Sequence, residues 1–280
     1  MPGNDFPHNM DVDAFLKLYL KERPISNALW RTAEYQEIIK VPMKKPLLDL
    51  GCGDGSFALL LFGKGIEAGI DLNVAEVGIA REMGVYKQVH AMDARKMPFK
   101  SNAFNSVFSN CVMEHVGPLD DVLEEVGRVL RPGGQFVFTV PGDHFNEMLY
   151  FNKLFRNLGL SRLADWYVEK LNKALAHLQV EGPAFWSGRL KKAGLTLVKS
   201  NYFMSERAMK CFDITTPLGA PSRIWRKLFN RWCVMPRFWW TWAMQGYLAD
   251  LLREPTSIGG GLILIAQKTG KKPNVTKKKK

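Results

Sequence analysis

Along the chain, apolar residues first recur at helical spacing and then switch to short solid runs that alternate with helical patches. From Val12 to Ile39 the pattern predicts two short helices broken at Pro24, since proline cannot continue a helix interior. Pro46–Leu50 is a short apolar run ending in glycines, the pattern of a buried strand, and Phe57–Phe62 continues as a helix. Further strands are predicted over Ile66–Asp71, Val89–Met92, Ser106–Asn110 and Gln135–Val140. Helices fall between them at Val74–Met83 and Val122–Leu130. In the second of these Val122, Val126 and Leu130 share a face, and Arg131-Pro132-Gly133-Gly134 stops it. Such alternation implies an α/β fold with a parallel sheet covered on both faces. A ligand is then expected at the carboxyl ends of the strands, near the switch in strand order.

Beyond Pro141 the rhythm lapses. Residues 142–182 read as mostly helical and rich in aromatics, Phe185–Ala193 as a helix, Leu195–Phe203 as a sixth strand and Gly261–Ala266 as a seventh. The expected organisation is an N-terminal helical cap over 1–40 and a main domain over 41–267 with helical insertions at 142–182 and 205–258. A Lys-rich tail over 268–280 closes the chain.

Charge changes the picture less than it first suggests. The formal net charge is +12, but removing the seven lysines of the tail leaves +5 for residues 1–267. The tail is rich in lysine and poor in apolar residues, and is expected to stay solvated. Outside it, basic residues alternate with acids and no nucleic-acid module is present, which argues against nucleic acid as a partner. Cys52, Cys111, Cys211 and Cys233 are widely spread without metal-type spacing. Reduced thiols, no bound metal and a cytoplasmic protein are therefore expected. Met1–Met10 lacks an apolar signal segment, and Trp232–Leu252 is interrupted by Pro236, Arg237, Gln245 and Asp250, a poor transmembrane span.

The chemistry starts at Asp49-Leu50-Gly51-Cys52-Gly53-Asp54-Gly55, which ends the first strand. A glycine-rich turn there could serve several cofactors. The dinucleotide fingerprint wants Gly or Ala where this chain has Ser56, yet its acid about twenty residues on is present as Asp71. Spacing alone leaves a nicotinamide oxidoreductase open. Three features point elsewhere. Asp49 precedes the first glycine, where a carboxylate would not help a pyrophosphate but could attract an ammonium group. A third strand leads into Asp93, and a Leu-Arg-Pro-Gly-Gly turn introduces the fifth.

With Leu48–Ser56, Gly69–Asp71, Asp93–Phe99, Phe104–Val116 and Leu130–Gly134 in one register, the chain resembles the class I S-adenosylmethionine-dependent methyltransferases. It is most similar to the type 11 group that includes ubiquinone and menaquinone methylating enzymes. The resemblance covers roughly residues 46–141, and more weakly Leu190–Leu195 and the last strand. It implies a seven-stranded Rossmann-like sheet, mostly parallel with an antiparallel last strand, and S-adenosyl-L-methionine as cofactor. Gly51, Gly53 and Gly55 would let the backbone approach the methionine part of that cofactor. By the same resemblance Asp71, with Leu72 beside it, would accept from the ribose hydroxyls, and Asp93, with Ala94 beside it, from the adenine amino group. Asn110 would offer its backbone carbonyl to the cofactor's amino group. Asn105 stands where the family usually has Asp, at the start of the fourth strand and away from the expected pocket.

Methyl transfer from a sulfonium needs mainly alignment, which can supply on the order of 7–11 kcal/mol. A base is needed only for a hydroxyl or carbon acid. His144 and His115 are the catalytic candidates, each following a strand end, with His177 behind them. Within 222–237, Ile224, Trp225, Leu228, Phe229 and Trp232 share one helical face and Arg223, Arg226, Lys227 and Arg231 the other. That pattern suits a lid over the acceptor, or a segment lying in an anionic membrane interface, where the tail lysines would add attraction. Both readings favour O- or C-methylation of a small or lipid-like acceptor. A soluble metabolite or sugar acceptor, and a non-catalytic binding protein, are the other readings. The N-terminal helices are expected to cover the cofactor, with Trp30, Arg31 and Tyr35 near it.

Overall fold

In the computed structural model, residues 10–219 and 240–270 are described, with side chains from 244 onward in the last helix. Helix α1 (Val12–Glu22) starts on Asp11, whose carboxylate accepts from Ala14 N at 2.7 Å, and α2 (Ile25–Ile38) follows Pro24. Then come β1 (Leu47–Leu50), α3 (Ser56–Phe62), β2 (Ile66–Asp71), α4 (Val74–Met83), β3 (Tyr86–Ala91), β4 (Phe104–Asn110), α5 (Leu119–Val129) and β5 (Leu130–Pro141). A 3-10 turn over Met113–His115 sits between β4 and α5. Three helices fill the first insertion: α6 (Phe145–Met148), α7 (Tyr150–Asn157) and α8 (Ser161–Leu175). The chain continues with α9 (Pro183–Lys192), β6 (Leu195–Phe203), α10 (Glu206–Thr215), α11 (Trp240–Arg253) and β7 (Gly261–Lys268).

The seven strands form one sheet in the order β3-β2-β1-β4-β5-β7-β6. The pairs from β3 to β5 are parallel, and β7 runs antiparallel to both β5 and β6. This is the expected doubly wound sheet with an antiparallel last strand. Strand order reverses between β1 and β4, so the crevice for a ligand lies where their carboxyl ends part.

The pleat sends successive side chains to opposite faces, and both faces are buried. Leu47, Phe108 and Val137 join one core with Phe15, Tyr35 and Phe62. Leu48, Val107, Phe136 and Phe138 join the other with Leu123, Val126 and Trp186. Helices α1 and α2 are therefore part of the first core. Tyr35, expected near the cofactor, stacks on Phe15 with ring centroids 4.0 Å apart, and its hydroxyl donates to the Met10 carbonyl at 2.7 Å.

Several boundaries differ from the sequence expectation, α5 starting at Leu119 rather than Val122 and β4 at Phe104 rather than Ser106, and two further differences are instructive. Strand β3 begins at Tyr86 rather than Val89, because it is an edge strand whose polar Lys87 and Gln88 face solvent and hide the pattern. The Arg131–Gly134 segment does end the preceding helix, but it also belongs to β5. The ladder pairs Phe104 with Leu130 and then Ser106 with Gln135, so the turn is a bulge inside the strand. Asn105 lies in that bulge, donating to the Lys45 carbonyl and accepting from Arg131. No helix among the described residues is long and apolar enough to cross a membrane. The basic-aromatic segment 222–237 and residues 271–280 of the tail lie outside the described residues.

Helices α5 and α9 meet at Gly127, where a Cβ would stand 2.4 Å from the Ala193 carbonyl oxygen. Backbone cannot step aside as a flexible side chain can. Gly127→Ala should destabilise the fold by about 1–3 kcal/mol in denaturant unfolding, while ligand affinity of the folded fraction stays unchanged.

Candidate cofactor and acceptor site

Three cavities lie side by side at the carboxyl ends of β1, β2 and β4. The first, of about 290 Å³, is walled by the glycine loop, Asp49, Asp71 and Asn110. Across from them stand Tyr19, Arg23, Asn27 and Arg31, spaced four residues apart along α1 and α2. The second, of about 230 Å³, shares Gly51 and Asp71 with the first and adds Leu72, Asp93, Ala94, Val112 and His115. The third, of about 150 Å³, shares Asn27 and Arg31 with the first and His115 with the second. Its remaining wall includes Trp30, Cys111, Glu114, Phe145, His177 and Phe212. A larger groove of about 510 Å³ lies between α2, β6 and the segment after α11, and shares no residue with these three.

The loop is shaped by torsions that only glycine adopts easily. Gly51, Gly53 and Gly55 have φ of 81°, 52° and 78°. At Gly51 the packing is also closed, since a Cβ would stand 2.2 Å from Val112 Cγ2, whereas Gly53 faces open space. The loop is pinned to β2 by Gly51 N and Cys52 N, which donate to the Ile70 carbonyl at 2.8 and 2.9 Å. Asp71 accepts from Gly53 N at 2.9 Å and Asn73 N at 2.8 Å, and it is Asn73, not Asp71, that caps α4. Each Asp71 oxygen thus keeps a lone pair for a ligand. Asp93 is turned toward Arg95, which donates to it from its backbone and from Nε at 2.9 and 2.8 Å. Those hydrogen bonds hold the Asp93 carboxyl below the usual range.

Asp49 is 3% exposed and accepts from the Tyr86 hydroxyl at 2.6 Å. Burial raises its carboxyl to about 7, against the pull of that hydrogen bond, and Asp71 adds to the rise. Opposite it, Arg31 Nη1 lies 2.9 Å from Glu34, which is fully buried. Glu34 Oε1 also accepts from Cys111 Sγ at 2.7 Å and Thr139 Oγ1 at 2.9 Å. In the orientation that satisfies both ends of its amide, Asn110 donates to Glu34 Oε1 at 3.1 Å and accepts from Arg31. Cys111 takes a left-handed backbone (φ 51°) at the end of β4, and its sulfur accepts from Trp30 Nε1 at 3.2 Å.

Of the residues singled out in the sequence, Asp49, Gly51, Gly53, Asp71 and Asn110 line the first cavity, and Leu72, Asp93 and Ala94 the second. Gly55 lies one step back, as the left-handed residue before α3. His115 lines the second and third cavities, with Nδ1 2.8 Å from the Ala176 carbonyl. His177 reaches the third, its ring 5.8 Å from that of His115. His144 lines none of the three. It faces Glu147 at 3.4 Å and Tyr202, because β5 ends at Pro141 and the chain has turned away. Sequence reasoning missed Glu34, whose signal was a lone acid in the apolar row Trp30–Glu34–Ile38, and Glu114. Among the described residues no cluster of potential metal ligands was found.

Asp49 ties the site to stability. Its carboxyl titrates near 7 in the fold against 3.8 ordinarily, so the folded state favours the protonated form. Stability is fully present below 3.8 and falls as pH rises towards 7. Asp49→Asn should raise the unfolding free energy of the ligand-free protein above pH 7, by up to about 4 kcal/mol. The gain should shrink toward pH 4 in urea titrations.

The family model described as a methyltransferase domain matches residues 48–138. A malonyl-[acyl-carrier protein] O-methyltransferase of Legionella pneumophila is 32% identical over 144 residues, 49% of this chain and 49% of that protein. A demethylmenaquinone methyltransferase of Symbiobacterium thermophilum is 30% identical over 45% of this chain and 55% of its own length. The chain spans about half the length of these curated relatives. In fold it is similar to the crystal structure of a putative sarcosine dimethylglycine methyltransferase from Galdieria sulphuraria. There the TM-score is 0.55 and the identity 17%, over 88% of both chains. Residues 48–138 thus carry the sequence pattern of a methyltransferase domain.

Proposed function

We propose that this chain transfers a methyl group from S-adenosyl-L-methionine to an oxygen or carbon of a small or lipid-like acceptor. The observation that carries the reading is the pair of adjoining cavities that share Asn27 and Arg31. One is lined by the glycine loop with two carboxylates, the other by Trp30, Phe145 and Phe212. The names of the two curated relatives, one an O-methyltransferase of an acyl carrier and one acting on demethylmenaquinone, support acceptors of that kind.

The cofactor supplies a sulfonium methyl group that is already electrophilic, so the protein's work is placement and charge. Asp71 receives the ribose hydroxyls, Asp93 with Leu72 and Ala94 the adenine, and Asp49 with the Asn110 carbonyl the ammonium group. Arg31, held by Glu34, faces both cavities and pairs with the cofactor's carboxylate. Trp30 and Phe212 exclude water, and His115 touches the acceptor at the seam between the cavities. A cavity of about 150 Å³ is below the usual range for a whole drug-sized ligand, so only the reacting head of a lipid-like acceptor enters. Residues 10–40 serve as the cap, and the lysines of the tail add attraction to an anionic membrane.

Calorimetry tests the donor site. The wild type should bind S-adenosylhomocysteine, and Asp71→Ala should weaken it by on the order of 100-fold or more, the loss of two charge-assisted bonds. Arg31→Gln should weaken S-adenosylhomocysteine by about tenfold or more yet leave 5′-methylthioadenosine, which lacks the carboxylate, unchanged. NADH binding in place of S-adenosylhomocysteine would sink the reading. Labelled methyl from S-adenosylmethionine should enter the lipid fraction of a cell extract; label confined to water-soluble metabolites would redirect the acceptor. Flotation with anionic vesicles should carry the full chain, and less of it without residues 268–280.

A further inference from the structure

The third cavity holds one acid that neither the donor site nor the helix lock engages. Glu114 is 1% exposed, and its Oε2 has no hydrogen-bond partner among the described residues. Its backbone is fixed, since the Glu114 carbonyl accepts from Leu178 N at 2.8 Å and Gln179 N at 3.2 Å. Oε1 stands 3.7 Å from His115 Nε2. A buried carboxylate oxygen left unpaired is unfavourable, and in a cavity wall it calls for a partner that comes and goes.

Resting on the methyl-transfer reading, we propose that Glu114 takes the proton from the methylated oxygen or carbon, and becomes a carboxylate when the methyl donor's positive charge enters the adjoining cavity. The charged and titratable groups around it are Arg31 and Glu34 on α2, Cys111 and His115 on its own segment, and His177 beyond α8. Arg31 and Glu34 neutralise each other as an ion pair. Burial pushes His177 down to about 4 and lowers His115, so both rings are neutral and weakly basic at neutral pH. Burial pushes Glu114 up to about 8, which makes it the stronger base once ionised. In the transfer, the new bond forms between the acceptor atom and the methyl carbon while the carbon–sulfur bond breaks. Sulfur keeps that electron pair and becomes a neutral thioether, and the acceptor's proton passes to Glu114 Oε2. With the donor's charge gone, the protonated carboxyl is again the favoured form.

The test needs no acceptor. Calorimetry at about pH 7.5 in buffers of different ionisation heat counts the protons released on binding. With S-adenosylmethionine, the wild type should release on the order of half a proton more than Glu114→Gln. With the uncharged sulfur of S-adenosylhomocysteine the two should agree, and the variant should bind it within about threefold of wild type. Equal proton counts with S-adenosylmethionine overturn the role of Glu114. Failure of the wild type to bind either ligand overturns the donor site instead. Should the variant not fold, the infrared carbonyl band of a protonated carboxyl in the wild type decides. It should vanish with S-adenosylmethionine and persist with S-adenosylhomocysteine, and persistence with both overturns the proposal.

Discussion

A carboxylate cannot be left alone inside a protein, and Glu34 is the one around which this site is assembled. It sits fully buried on a helix with no covalent reason to approach the sheet. Its oxygens are satisfied from three elements at once: Arg31 on its own helix, Cys111 after β4 and Thr139 on β5. Removing any partner would leave a charge or a donor stranded in a medium that screens poorly. The N-terminal helices are thereby locked against the strand ends, which brings Tyr19, Arg23, Asn27 and Arg31 over the glycine loop. Arg31 is held where it faces both cavities by the same pair that holds the helix.

That constraint explains how the first and third cavities come to share walls. Val112 closes over Gly51 so tightly that no side chain fits between them, and Val112 is followed directly by the turn that carries Glu114 and His115. The loop that shapes the first cavity and the turn that lines the third are therefore two sides of one contact. The first and third cavities also share Asn27 and Arg31, so a charge placed in one is felt in the other more strongly than at an open surface.

Much of this was legible in the sequence, for identifiable reasons. Strands β1 and β2 are buried or half-buried runs bounded by glycine or a turn, and their limits follow closely from hydrophobicity alone. The glycine loop, Asp49 and Asp71 carry a spacing that no ordinary turn requires. Strand β3 was clipped because an edge strand with one solvent face loses its apolar signature at Lys87 and Gln88. His144 looked well placed because it follows a strand end, but two residues of extra chain after Pro141 turn it toward Glu147 and away from the cavities. Glu34 and Glu114 were invisible for a deeper reason. A buried acid is defined by what surrounds it, and Glu34's partners Cys111 and Thr139 lie 77 and 105 positions away in the chain.

The balance of charge then argues for the kind of molecule that belongs in the crevice. Carboxyl groups outnumber cations there: Asp49, Asp54, Asp71 and Glu76 line the first cavity and Glu114 the third, against Arg23, which is engaged with Asp54, and Arg31, which is engaged with Glu34. Glu34 is compensated. Asp49 and Glu114 are not, and burial pushes both toward their protonated forms. A ligand bearing a pyrophosphate would add negative charge where it is already in excess. A ligand bearing a sulfonium and an ammonium group supplies what the site lacks, with one carboxylate left over for Arg31. Asp71 alone could serve either, since a ribose is common to both. Asp49 and Glu114 do not share that neutrality, and their excess of negative charge favours a cationic ligand over an anionic one, in keeping with the proposed methyl donor.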